Sequence, residues 1–176
     1  MIIAGKNAEY RIRLAEREEL TELGEVERAA GQQFAAVGLA HLSGQTLPIE
    51  RLLEAQKHGH VWVVTTLADE IVGFAMIETA SERVHLEEID ILPAHSGQGL
   101  GRELIRAIQA WAVQAGFKAM SLSTFRDVPW NAPYYERLGF RMLPEKEWSR
   151  DFVELRAAEA QAGLPVERRV IMWKDL

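Results

Sequence analysis

The stretch that most constrains this chain is Ile89-Asp-Ile-Leu-Pro-Ala-His-Ser-Gly-Gln-Gly-Leu-Gly-Arg102, together with the segment that follows it. An apolar, β-branched run ends at Pro93, and a loop carrying Gly97, Gly99 and Gly101 leads into residues 99–116. There Leu100, Leu104, Ile108, Trp111, Ala112 and Ala115 form one stripe at helical spacing, with Arg102, Glu103, Arg106 and Gln109 largely off it. Gly116 can stop this helix as a left-handed cap. A buried strand, a glycine loop and an amphipathic helix in that order commit the chain to a sheet covered by helices.

Periodicities elsewhere supply the rest of one domain. Residues 10–14 alternate apolar and arginine side chains, a short strand. Leu20, Leu23, Val26, Ala30 and Phe34 fall at helical spacing across residues 17–34. Residues 38–48 read as a loop, and Pro48 opens a second helix to about residue 57. Three strands joined by tight turns follow, at 61–67, 71–79 and 84–92. After the long helix come a strand at 118–124, a short helix at 131–138 and a strand at 140–143. A helix at 151–162, stopped by Gly163, and a strand at 166–174 close the chain. The order predicts an α/β fold with a mixed β-sheet flanked by helices, as a single domain over residues 1–176.

With 176 residues, 48% of them hydrophobic, the chain can bury one core of good size. A formal net charge of −6 argues against phosphate backbones and anionic headgroups as partners, so neither nucleic acid nor membrane is expected. Cysteine is absent, which removes disulfides, thiolate metal sites and a thiol nucleophile. His58 and His60 have no ligand cluster beside them in the sequence, so no metal is expected. The first residues lack signal-peptide features, and no apolar stretch approaches the roughly 20 residues that span a bilayer. A cytoplasmic protein is the default expectation.

Glycines at a helix start let the backbone approach a ligand and turn successive N–H groups toward one point. With the helix dipole they form an anion site suited to phosphate, and Arg102 adds charge at its edge. The Walker pattern requires Gly-Lys-Ser/Thr where this chain has Gly101-Arg102-Glu103. The dinucleotide fingerprint requires a glycine where Arg102 stands. The stretch resembles instead the pyrophosphate loop of the GNAT superfamily, acetyl-coenzyme A-dependent N-acetyltransferases, whose pattern is Arg/Gln-x-x-Gly-x-Gly/Ala. Gly99 and Gly101 match it, while Ser96 stands where Arg or Gln is usual. Trp130-Asn-Ala-Pro-Tyr-Tyr-Glu-Arg-Leu-Gly-Phe140 is similar to the family's late helix, in which a tyrosine precedes Gly-Phe by four residues. Tyr135 holds that place. The family's asparagine has Val128 in its position, with Asn131 nearer the tyrosine, where it also reads as a cap of that helix. The resemblance spans residues 71–140.

It implies acetyl-CoA as co-substrate, and a sheet that splays beside the strand carrying Ile89, Asp90 and Ile91. The pantetheine arm would pair with that edge as an added strand, and the N–H of Ile91 would stabilise the oxyanion. Gly97, Gln98, Gly99, Leu100, Gly101 and Arg102 would hold the pyrophosphate, and Asn131 would contact the cofactor from the late helix. Tyr135 would return a proton to the departing thiolate, and a place in the first turns of its helix would lower its pKa. A primary amine is only about 0.04% neutral at pH 7, so the reaction needs a base. Family examples use a carboxylate near the start of this strand, which makes Glu87 the first choice and Glu88 the second. Period-two alternation sets Glu88 and Asp90 on one face and Glu87 with Ile89 and Ile91 on the other. The carboxylates also read as solvated or paired charges, and Tyr135 as an aromatic packed on the sheet.

Glu78, Glu82, Glu87, Glu88, Asp90 and Asp127 lie near the predicted mouth or on the strands leading to it and outnumber Arg83 and Arg126 among them, which favours a small-molecule amine carrying positive charge. Two rivals stay open: an acyl-CoA-binding sensor or scaffold without turnover, and an acetyltransferase of protein N-termini or lysines. Exposed last strands in such a fold can pair subunits into a homodimer.

Overall fold

The computed structural model describes residues 3–4 and 9–176. Residues 1–7, read above for a leader, lie outside this set apart from Ile3 and Ala4. The described residues form one eight-stranded sheet in the order β1-β2-β3-β4-β5-β6-β8-β7. Its strands are β1 (Ile3–Ala4), β2 (Tyr10–Leu14), β3 (Val61–Thr66), β4 (Ile71–Ala80), β5 (Arg83–Ile91), β6 (Ala119–Phe125), β7 (Arg141–Met142) and β8 (Arg169–Asp175). Neighbours are antiparallel except β5 and β6, which run parallel, so the sheet is mixed as expected. β1 is an addition that no alternation in the sequence signalled. No helix among the described residues is long and apolar enough to cross a membrane.

Helices cover both faces. The first comprises α3 (Leu100–Gln114) and the short α4 (Ala132–Arg137); the second comprises α1 (Leu20–Gly31), α2 (Ile49–Lys57) and α5 (Arg150–Gln161). Strand alternation sorts the core between them. Trp62, Val64, Ala75, Ile77, Val84 and Leu86 meet Leu104, Ile105 and Ile108 of α3. Val61, Val63, Phe74 and Met76 meet Leu20, Leu23 and Val26 of α1 and Leu52 of α2. Each such side chain contributes about 1.5–3 kcal/mol by leaving water, so both helical layers are held by the same strands. Beyond α3, Gly116 takes φ +89°, and the Phe117 N–H returns to the Ala112 carbonyl at 2.9 Å. This is the left-handed stop expected there.

Two irregularities matter for the site. β5 pairs with β6 only from Arg83↔Ala119 to Leu86↔Leu122. Beyond that point β5 stays with β4 as far as Ile91, and β6 stays with β8 as far as Phe125. The sheet therefore opens into a gap between the end of β5 and the end of β6. Within β5, Met76 pairs with Glu88 but Ile77 pairs with Leu86, leaving Glu87 as the extra residue of a β-bulge.

Candidate active site

On the α3 face lies a groove of about 560 Å³, lined by Gly97, Gln98, Gly99, Arg102, Arg106, Gln109, Tyr134, Arg137 and Lys174 with two apolar neighbours. The loop is shaped by glycine. Gly97 and Gly99 have φ of +75° and +81°, and Gly99 is the residue from which α3 starts. A Cβ built on Gly97 would meet nothing within 4 Å, so its backbone borders open space. Unpaired N–H groups of the first helical turn, the helix dipole and four cationic side chains make this groove suited to a phosphorylated ligand.

The loop is tied to the sheet from below. The buried Tyr10 hydroxyl meets His95 Nδ1 at 2.9 Å and donates to Gln98 Oε1 at 3.1 Å. Ser96 turns its hydroxyl back onto the Pro93 carbonyl at 2.9 Å. Leu100 is buried in the core rather than in the groove. Gly101 makes room for a neighbour: a Cβ there would lie 3.2 Å from the Tyr134 hydroxyl. Asn131 precedes α4, and its carbonyl accepts the N–H groups of Tyr134 and Tyr135 at 2.8 and 3.1 Å. Its side chain makes no cap hydrogen bond, and it does not line the groove. Arg137 and Lys174, which do line it, escaped the sequence reading because a single cation carries no local pattern.

The gap in the sheet brings the remaining candidates together. The Leu92 N–H donates to Val72 of β4 at 2.8 Å; by alternation the N–H groups of Ile89 and Ile91 point the other way, into the gap. Glu88 accepts the Ile89 N–H at 3.2 Å, so its carboxylate lies beside the β5 edge that borders the gap. Ile89 and Ile91 pack toward α3, and Glu88 and Asp90 face α1. Glu87 departs from the alternation expected for it. The bulge turns its carboxylate to the α1 and α2 face, where it meets Arg51 at 3.0 Å.

Burial dominates the acids on that face. It pushes Glu88 up to about 7, with the nearby Glu27 carboxylate adding to the rise. Asp90 is raised well above the usual range by burial and by Glu88 and Glu27, and its Oδ2 has no hydrogen-bond partner among the described residues. Glu27, on α1, is itself raised by burial while both its oxygens accept the Leu47 N–H, at 3.0 and 2.8 Å. Glu87 is raised by burial, with Arg51 opposing. Of the other acids expected at the mouth, Glu78 shares Arg51 at 2.6 Å and Asp127 pairs with Arg168 at 2.9 Å. Glu82 sits in the β4–β5 turn, at the end where β5 and β6 are still joined.

Tyr135 lies in α4, 7% exposed, its ring edge-on to Tyr134 and Phe140 at centroid distances of 5.3 and 5.8 Å. Its pKa is raised by burial, then by Tyr134, Glu88 and Asp90, not lowered as the helix dipole had suggested. α4 has only six residues, so its dipole is small against the loss of solvent. The carboxylates of Glu88 and Asp90 add to that rise, so the phenol on the α3 face lies within electrostatic reach of the acids on the other face.

His85, fully inside, bonds Ser121 Oγ at 2.9 Å and is held neutral, with burial lowering its pKa to about 4. Arg83 reaches the same hydroxyl at 3.2 Å, stacks on Phe152 of α5 and pairs with Asp151. This group anchors α5.

The Acetyltransferase (GNAT) family model matches residues 26–140. Among solved structures, the chain is similar to PaiA N-acetyltransferase from Thermoplasma acidophilum in complex with coenzyme A. Identity is 15%, the TM-score 0.72, and the match covers 95% of this chain and 99% of that one. N-acetylglutamate synthase from Neisseria gonorrhoeae, complexed with coenzyme A and N-acetyl-glutamate, gives 16% and 0.74 over 98% of this chain and 36% of that one. The ribosomal-protein-S18-alanine N-acetyltransferase from Escherichia coli gives 16% and 0.64 over 94% and 93%. At such identities the likeness is one of fold.

Proposed function

Because this chain belongs to the GNAT acetyltransferase family, we propose that it transfers the acetyl group of acetyl-CoA to a primary amine by direct attack in a ternary complex. The observation that carries this reading is the gap between β5 and β6, with a cationic groove on one side and half-buried carboxylates on the other. Phosphates of the donor bind along the groove. Its pantetheine arm lies in the gap, pairing with the free edge of β5. The amine enters from the α1 and α2 face, where acids attract a cation.

Glu88 is the base. Raised to about 7, it accepts the ammonium proton far more readily than an ordinary carboxylate near neutral pH. Glu87, held by Arg51, is less suited to that step. The free amine attacks the thioester carbonyl carbon, and the Ile91 N–H stabilises the oxyanion as it forms. The C–S bond then breaks, Tyr135 donates its proton to the thiolate, and the nitrogen gives up its extra proton to the phenolate, leaving a neutral amide and a restored phenol. Burial raises the phenol pKa, but the thiolate leaves into the same dry gap, where it too is a stronger base. The transfer is thus less uphill than the phenol alone suggests.

The acceptor class proposed is a small amine bearing positive charge, because Glu27, Glu88 and Asp90 converge on the entry side. Mass-detected acetylation over a panel of mono- and polyamines, acidic amino acids and peptide N-termini tests both levels. Acetylated cationic amines are expected; a strict preference for anionic acceptors would overturn the acceptor class. Binding of acetyl-CoA with no product from any amine would support a sensor instead.

A further inference from the structure

The cationic groove runs further than one pyrophosphate requires. Its lining follows α3 from Arg102 to Gln109, seven residues or about 10 Å at the helical rise. Its cations are held in two ways. At the loop end, Arg102 and Arg106 share Glu103, at 3.6 and 2.9 Å. Along the α4 wall of the groove, Arg137 and Lys174, the latter bonded to the carbonyl of Leu138 next to Arg137, have no ion-pair partner among the described residues.

Lys174 is aimed rather than neutralised. Its Nζ donates to the Leu138 carbonyl at 2.8 Å and to Gln109 Oε1 at 3.4 Å. An ammonium has three N–H donors, so two neutral acceptors leave one. Its stem crosses Gly139, where a Cβ would fall 3.6 Å from Lys174 Cε. Gln109 Nε2 is out of solvent and has no acceptor among the described residues. Arg137 is exposed, and among the described residues its guanidinium meets only the Tyr134 ring, 5.9 Å from the centroid.

We propose that Lys174, Arg137 and Gln109 form a second anion subsite, which takes the 3′-phosphate of the donor's nucleotide, separate from the loop that takes the pyrophosphate. The proposal rests on the acyl-CoA reading above. A phosphomonoester carries close to two negative charges at neutral pH and presents three strong acceptor oxygens. Two uncompensated cations and an amide donor match that demand. A pyrophosphate already held by the loop, the helix start and Arg102 does not need them. The subsite therefore discriminates between coenzyme A and its 3′-dephospho form.

Calorimetric titration of both nucleotides tests this without knowledge of the acceptor. The protein is expected to bind coenzyme A about tenfold or more tightly than 3′-dephospho-coenzyme A, the scale of one lost charge-assisted contact set. Arg137→Gln and Lys174→Met should each narrow that ratio, and the double variant should bring it close to one, with the loss falling on coenzyme A. Arg137 is on the surface, so its variant keeps the test sound even if Lys174→Met folds poorly. Equal binding of the two nucleotides by the unaltered protein overturns the subsite, as do variants that weaken both ligands alike. Failure to bind either nucleotide overturns the acyl-CoA reading itself.

Discussion

Glu88 binds a proton more tightly when folded than when unfolded, and the sign of that difference has two measurable effects. Its folded pKa of about 7 lies above the usual carboxylate value. As pH rises between the two, the unfolded chain releases the proton first, so this group's contribution to stability is present at low pH and is lost toward pH 7. Glu88→Gln keeps the shape and removes the titration. It should stabilise the protein on the order of 1–3 kcal/mol at pH 8 and hardly at all at pH 4. It should also lower turnover about 10²–10⁴-fold, and the unaltered enzyme should lose kcat/KM below about pH 7. Melting curves at the two pH values check the first effect; an identical change at both would refute the buried-charge account. Tyr135→Phe retains the ring packing against Tyr134 and Phe140, so it should cut turnover by about 10²–10⁴-fold while leaving acetyl-CoA affinity nearly unchanged. Near-normal rates would reduce Tyr135 to a packing residue. Tyr135 could be singled out in the sequence because Gly139 and Phe140 mark its register. Glu27, Arg137 and Lys174 could not, since each is a lone charge brought to the site by tertiary contacts.

At the scale of elements, alternation placed the strands and helical spacing the helices to within a few residues, because both patterns report burial directly. The bulge at Glu87 was not visible. An extra residue leaves no mark in a run such as Leu86-Glu-Glu-Ile-Asp90, and only pairing with β4 reveals it. Its effect was to move Glu87 across the sheet. Gly73 on β4 was equally silent. A Cβ there would come within 2.3 Å of Ile91 Cδ1 and 2.7 Å of the Asp90 carbonyl. Gly73→Ala must push the end of β5 toward the gap, which should cost about 1–3 kcal/mol of stability and depress kcat. Unchanged melting temperature and turnover would mean that β5 is not held so closely.

For the whole molecule, a net charge of −6 conceals a division. Cations line the groove on the α3 face, and acids gather on the opposite side of the gap. Both substrates should therefore bind more weakly as salt rises, with KM increasing for acetyl-CoA and for a cationic amine while kcat stays nearly level. A KM for the amine that falls with salt would contradict the proposed acceptor. The same division bears on how such a protein can change. In the proposed complex, donor and acceptor meet through a slot in a partition, each resting on helices the other does not touch. Substitutions in α1, α2 or α5 can thus redirect acceptor choice without reworking the nucleotide groove. New specificities are open to a chain that keeps one half of its chemistry constant.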